Sequence, residues 1–401
     1  MGTVTIRGGT GEPDQTLVYT EAGAFQLARS IAGVVNKNLA ITVKLYNNGG
    51  LFKVPSSVGA LVIDGGKPVS ISAATGTKKQ YVVTGKLGAE YAMAAGESMS
   101  IAGIGADTIF AGQSTHAGNT LVAAGTRDVV ELGDGAVTVT EAGTLAHITG
   151  GSGSAVIHDT GVGDTVTTGS GAETVYASKN GHYILGSGQD VIEDSQAQGA
   201  SDTIDASGGG GYTVFGGTSD LITTNTGLYF QGGNGSTTIK GSGNDILLGN
   251  PGGSIDFRAT GNATYAASGG GDTFNGAAAT GNLTLFTSGP SATGDMLTGS
   301  QGNDQFIAEG NNATLTGSHA ASGVDDYVFV DQGSTTQTVV ITNFNPANDA
   351  IGLIGYGAEP AADEAALSGA TTAGGITTVT LSDGTTIHLL GAPALTSFNF
   401  F

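Results

Sequence analysis

Apolar and polar positions alternate in runs of four or five residues along most of the chain, with glycine punctuating the runs. In "GSGNDILLGN" (241–250) Ile246 and Leu247 fall on opposite sides of an extended strand, as do Val175 and Tyr176 in "GSGAETVYAS". From Asp107 to Asp325 such strand starts recur about every 8 to 13 residues, a period near nine or ten with insertions. A unit this short cannot bury its apolar side alone, so neighbouring units must stack. Two units make one turn of a flattened, parallel two-sheet coil, and at about 4.8 Å per turn the stack predicts roughly eleven turns over some 50 Å. Helical spacing shows once, in residues 22–40, where Phe25, Leu27, Ile31 and Val35 fall on one side. Around it lie strands at 39–47, 59–65 and 79–85. The expected class is therefore mainly β: a parallel β-solenoid over 101–326, preceded by a small mixed or mainly β domain (1–100) and closed by a C-terminal β cap (327–401). In the cap, Asp383 and Gly384 mark a hairpin between alternating strands, and the end of an array needs such a cover against edge pairing.

Composition sharpens this picture. There are 71 glycines but only 8 prolines and no G-X-Y period, which excludes collagen, while the recurring Val, Ile, Leu, Tyr and Phe argue against disorder. Cysteine is absent, so any cross-link must be something other than a disulfide. The start "MGTVTIRGGTGEPDQ" lacks the basic and apolar regions of a Sec-type signal peptide, and no run of 18 apolar residues predicts a membrane span. Charge is lopsided: residues 1–100 hold 9 Lys/Arg and 6 Asp/Glu, net +3, and the remainder 4 and 28, net −24. An acidic body of this density repels itself unless cations neutralise it, and it excludes nucleic acid as a partner.

Aligned, "GIGADTIFAG" (103–112), "GSGQDVIEDS" (186–195) and "GSGNDILLGN" (241–250) share Gly, any, Gly, any, Asp, any, apolar, and "GGGDTFNGA" (269–277) follows the same pattern with one residue fewer before Asp272. Looser copies place Glu173, Asp202, Asp220 and Asp304 at the acidic position. Residues 103–326 resemble the nonapeptide β-roll of RTX proteins, and "DDYVFVDQGSTTQTVVITNFNPANDAIGLIG" (325–355) with the terminal "ALTSFNFF" resembles the closing region of RTX proteins exported by type I secretion. The resemblance implies calcium as cofactor, with Asp107, Asp190, Asp245, Asp202, Asp220, Asp272 and Asp304 supplying charge. Gly103, Gly105, Gly186, Gly188, Gly241 and Gly243 would adopt positive φ and turn carbonyls toward the ion. Asp128, Asp164 and Asp295, outside the full motif, read as solvated turn residues. The resemblance also implies the type I secretion machinery as a partner and an extracellular or cell-surface location on a Gram-negative bacterium.

No H-E-x-x-H or G-x-S-x-G occurs, and His116, His147, His158, His182, His319 and His388 lack metal-ligand spacing, so no enzyme is expected. His158 and its neighbour Asp159 would face opposite sides of a strand. A polysaccharide lyase or epimerase on a solenoid groove is the enzymatic rival, but only Arg127, Lys179, Lys240 and Arg258 could neutralise uronate charge on this coil. An RTX adhesin, or ice or surface binding through threonine rows, is a further alternative, although in the sequence those rows do not recur in register. The expected function is a secreted, non-catalytic, calcium-stabilised structural protein that self-associates into a surface layer, fibre or matrix, unfolded before export and folding outside. Its mildly basic first hundred residues would meet another copy's acidic body, or an anionic surface glycan or lipopolysaccharide.

Overall fold

The computed structural model describes residues 2–74, 76, 78–115, 118–194, 201–291, 293–318, 320, 322–333, 336–391 and 394–401. His116 and His319 lie outside the described residues. The chain forms two compact units, residues 1–211 and 212–401, built as a parallel β-solenoid of about 14 turns.

In the first unit every circuit passes once through each of two parallel sheets. One sheet stacks Ala60–Ile63, Lys79–Thr84, Ser98–Gly103, Asn119–Ala124, Val137–Glu141, Ala155–Asp159, Glu173–Tyr176 and Gln189–Glu193. Pairing is in register, so like positions form columns. Met99, Leu121, Val139, Ile157, Val175 and Ile192 make one inward column. Tyr91, Ile109, Val130, Ile148, Val166, Tyr183 and Ile204 make the facing one in the second sheet. Each such side chain contributes about 1.5–3 kcal/mol by leaving water. A slip of one residue would turn a whole column outward, which fixes the register.

Parallel stacking begins far upstream of the glycine motif, with Val43–Leu45 on Ala60–Ile63 and Gly50–Val54 on Val69–Ala73. The separate domain expected over residues 1–100 thus reduces to an antiparallel hairpin, β1 (Gly2–Ile6) and β2 (Gln15–Tyr19), and one helix, α1 (Ala22–Lys37). The reason is that alternation, not the acidic corner, makes a rung. The Glu21 carboxylate caps α1 by accepting the amides of Gly23 and Ala24, which satisfies two otherwise orphaned donors. The helix buries Ala24, Ala28, Ile31, Ala32 and Val35, while Phe25 and Leu27 are only partly covered. Its small residues allow a close approach: a methyl group on Gly23 would lie 1.9 Å from the Ala142 carbonyl oxygen.

The second unit repeats the scheme with larger side chains. Phe230, Leu247, Tyr265, Leu285, Phe306, Tyr327 and Ile351 form one inward column. Ile255, Phe274, Leu297, Leu315, Ile341 and Leu389 form the other. Tyr265 stacks on Phe274 at 4.6 Å and Phe306 on Tyr327 at 5.0 Å, filling a lumen whose two columns in the first unit are aliphatic apart from Met99, Tyr91 and Tyr183. Rungs continue past residue 326 through Ala350–Ile354, so the coil extends beyond the expected 101–326 at both ends. The hairpin at Asp383 and Gly384 is present: Ile376–Thr380 pairs antiparallel with Thr386–Leu390, which itself adds in parallel to Thr338–Ile341. One outward column of the first unit holds Thr120, Thr138, Val156 and Thr174, so threonines do recur in register there, with one interruption.

Candidate metal centre

The acids that open strands lie inside the corners of the coil. Asp107 is fully buried: one oxygen accepts the Thr84 hydroxyl at 2.8 Å and the other the Ala89 amide of the preceding turn at 2.7 Å. Asp190 does the same with the Thr168 hydroxyl at 2.6 Å and the Glu173 amide at 3.1 Å. The Leu228 amide donates to Asp245 at 2.9 Å, the Gly181 amide to Asp202 at 2.6 Å, and the Leu283 amide to Asp304 at 3.0 Å, each again from the previous turn. Asp220 accepts the Gly217 amide of its own corner at 2.8 Å, and Asp272 that of Ser268. A carboxylate here is first a clamp, because it takes up an amide that the parallel ladder leaves over at each strand start.

Sequence reading missed half of these clamps. Asp128, Asp164 and Asp295, expected to be solvated, are buried at 0%, 0% and 1% exposure. Asp325 and Asp349 continue the column from Asp304: the Asp304 amide donates to Asp325 at 3.1 Å and the Asp325 amide to Asp349 at 3.0 Å. Glu97, also buried, accepts the Tyr91 hydroxyl at 2.9 Å and the Ala94 amide at 2.7 Å. The signal that would have found most of them is an acid immediately before the first alternating residue, as in "GTRDVVEL", "GVGDTVTT" and "NPANDAIGLIG", whatever precedes it.

Glycine serves packing more than torsion. Only Gly241 (φ 126°) and Gly243 (φ 131°) of the six expected glycines hold positive φ; Gly103, Gly105, Gly186 and Gly188 do not. Instead, a methyl group on Gly186 would sit 1.9 Å from the Gly169 oxygen, and one on Gly188 only 1.6 Å from the Gly171 oxygen. Gly169 and Gly171 stand in the same relation to Gly151 and Gly153, at 1.9 and 2.0 Å. Corners stacked at the strand spacing leave no room for a Cβ facing the turn below.

Electrostatically the corners are unbalanced. Among the described residues the ion pairs are Lys44–Glu12 and Arg258–Asp256, and neither involves a buried acid. Burial pushes the Asp245 carboxyl up to about 6 and that of Asp325 to about 7. Burial, then contact with Asp190, pushes Glu173 to about 8. Burial raises Asp272, and burial followed by the charge of Asp128 raises Asp107 well above the ordinary range. Moreover, no donor among the described residues reaches Asp128 Oδ2, Glu141 Oε2, Asp164 Oδ2, Glu173 Oε2, Asp245 Oδ2 or Asp272 Oδ1. A buried carboxylate left like this is costly until a proton or a cation joins it. The donor set is oxygen alone, from carboxylates and peptide carbonyls, which suits a hard divalent cation. Of the expected ligands, Asp245 and Asp272 present a bare oxygen, whereas both oxygens of Asp107, Asp190 and Asp304 already accept protein donors. No family model matches the chain, and no curated protein or solved structure matches it significantly.

Proposed function

We propose that the protein is a non-catalytic structural element whose coil is stabilised by calcium, and that it works outside a Gram-negative cell after type I export. The observation that carries this reading is the set of buried corner carboxylates with no basic partner among the described residues. Asp245 and Asp272 would hold ions through their bare oxygens, and the acids already clamped to amides would share charge with them. A bound cation supplies the positive charge that these corners lack. At an affinity near 100 µM and about 1 mM free calcium, each site stabilises the fold by roughly 1.4 kcal/mol. In calcium-poor cytosol the same carboxylates oppose folding, which keeps the chain unfolded for passage through an export channel. Self-association into a layer or fibre follows from a basic N-terminal segment and an acidic body on one chain.

Circular dichroism of the purified chain in EGTA and in calcium tests the first half, and electron microscopy of the same samples tests the second. Calcium-dependent β structure with ordered assemblies is the expected result. Full β structure in EGTA at neutral pH would remove the switch, and dispersed particles in both conditions would remove the assembly. A second reading, adhesion to a flat ordered surface such as ice, draws on the in-register column Thr120, Thr138 and Thr174. Thermal hysteresis in the wild-type protein that disappears on Thr138→Tyr would favour it.

A further inference from the structure

One sheet of the second unit turns an uncharged, largely apolar face outward. On either side of its inward column stands an outward one, with register partners stacked rung on rung. The first holds Phe215, Gln231, Leu248, Ala266, Phe286 and Ile307. The second holds Tyr229, Ile246, Thr264 and Thr284. Ile246 is 50% exposed and Tyr229 39%, and Leu248, Phe286 and Ile307 are half-buried. None of these ten is charged, although residues 212–401 hold 15 Asp/Glu against 2 Lys/Arg, net −13. Both bases, Lys240 and Arg258, are register partners on the outward side of the other sheet, where Arg258 pairs with Asp256. The uncharged face stops at Asp326, the register partner of Gln305.

A body this acidic repels its own copies wherever acids meet, so a face free of charge is where two of them approach at least electrostatic cost. Six strands at about 4.8 Å, carrying two columns about 7 Å apart, make a patch on the order of 500 Å², a size that marks an interaction site. Two such patches bury about 1,000 Å², the lower limit for a specific contact, which suits a weak and reversible dimer. The relief of the patch complements itself. The rung of Ile246 and Leu248 is bulky and the next, Thr264 and Ala266, is small. A two-fold axis between these rungs, parallel to the strands, sets Leu248 over Ala266 and Ile246 over Thr264 of the other copy. The same operation sets Tyr229 over Thr284 and Gln231 over Phe286, so each meeting within these rungs joins a larger side chain to a smaller one.

We propose that two copies of this chain pack this face on itself about that two-fold axis. The proposal rests on the self-association put forward above and gives it an apolar, isologous contact, separate from the head-to-tail attraction of opposite charges. The two sheets would lie about 10 Å apart, as in a β-sandwich.

Sedimentation equilibrium of the full chain in millimolar calcium, from about 1 to about 200 µM and in both about 0.1 M and about 1 M NaCl, measures the contact. High salt screens the charged attraction, and a dimer is expected to persist there. Ile246→Glu/Leu248→Glu should weaken it at least about tenfold while leaving Tm and far-UV circular dichroism as in wild type, because both side chains point outward. Ile246→Thr/Leu248→Thr, with β-favouring residues, should weaken it too and serves if the first variant does not fold. Thr223→Glu, beside Lys240 on the other sheet, should leave the dimer unchanged. A folded face variant that dimerises as wild type does, or a wild type of single-chain mass throughout at 1 M NaCl, would overturn the proposal. So would a single-chain wild type retained on a phenyl matrix or an insoluble neutral glycan through these residues, which would give the face a foreign partner. Layers or fibres that form equally well from the face variant would remove this contact and leave assembly standing, whereas salt-resistant dimers without layers or fibres would support the contact and remove only the larger assembly.

Discussion

Removing divalent cations should make the stability of this protein fall steeply as pH rises, the reverse of ordinary acid denaturation. Glu97, Asp245 and Asp325 set the size of the effect. Burial lifts their carboxyls from ordinary values of 4.5, 3.8 and 3.8 to about 7, 6 and 7. At about 1.4 kcal/mol per tenfold change in proton affinity, each costs roughly 3–4 kcal/mol once ionised in the folded chain. Because the folded values are the higher ones, the native state binds more protons than the unfolded state between about pH 4 and pH 7. The stabilisation from the neutral carboxyls is therefore complete below about pH 4 and is lost as pH rises through 6 to 7. Together the three groups amount to roughly 10 kcal/mol, comparable with the entire stability of a typical domain. On the proposed reading calcium would bind the ionised form and remove the loss. Urea unfolding followed by far-UV circular dichroism, in EGTA from about pH 5 to about pH 8 and again with millimolar calcium, measures this directly. The midpoint should drop across the series in EGTA and stay level or rise in calcium. A midpoint in EGTA that rises or stays flat would show that these corners do not hold uncompensated acids.

Three substitutions probe the coil itself. Gly188→Ala drives a methyl group to 1.6 Å from the Gly171 oxygen and should cost about 3 kcal/mol or more, whereas Gly66→Ala, with nothing within 4 Å, should be nearly neutral; equal urea midpoints would refute the stacking argument. Phe306→Ala empties a fully buried position stacked on Tyr327 and should lower stability by about 3–5 kcal/mol, read by calorimetry. Tyr183→Phe removes the hydroxyl that donates to Asp159 and accepts the Ser178 amide at 2.8 Å, and an expected loss of about 1–3 kcal/mol would show in the same unfolding curves.

Alternation was enough to announce a stacked parallel coil, because a strand buried on one face must show a period of two wherever it lies. Ile246 and Leu247 face opposite ways as their order requires, at 50% and 0% exposure. The glycine-and-aspartate motif pointed to the corners, and the cap hairpin at Gly384 was written in its turn residues. The same alternation over 43–103 went unread as coil because no motif accompanied it. Burial of Asp128, Asp164 and Asp295 could not be seen along the chain either. Whether a turn acid meets water or the turn beneath depends on which corner stacks on it, about 20 residues away, and on whether that corner offers an amide. Glu141 is the sharpest case: as a strand-end residue it looks like any solvated acid, and folding buries it completely beside the strand of Asp159. Local pattern fixes which way a side chain points, and the partners that decide its charge come from neighbouring turns.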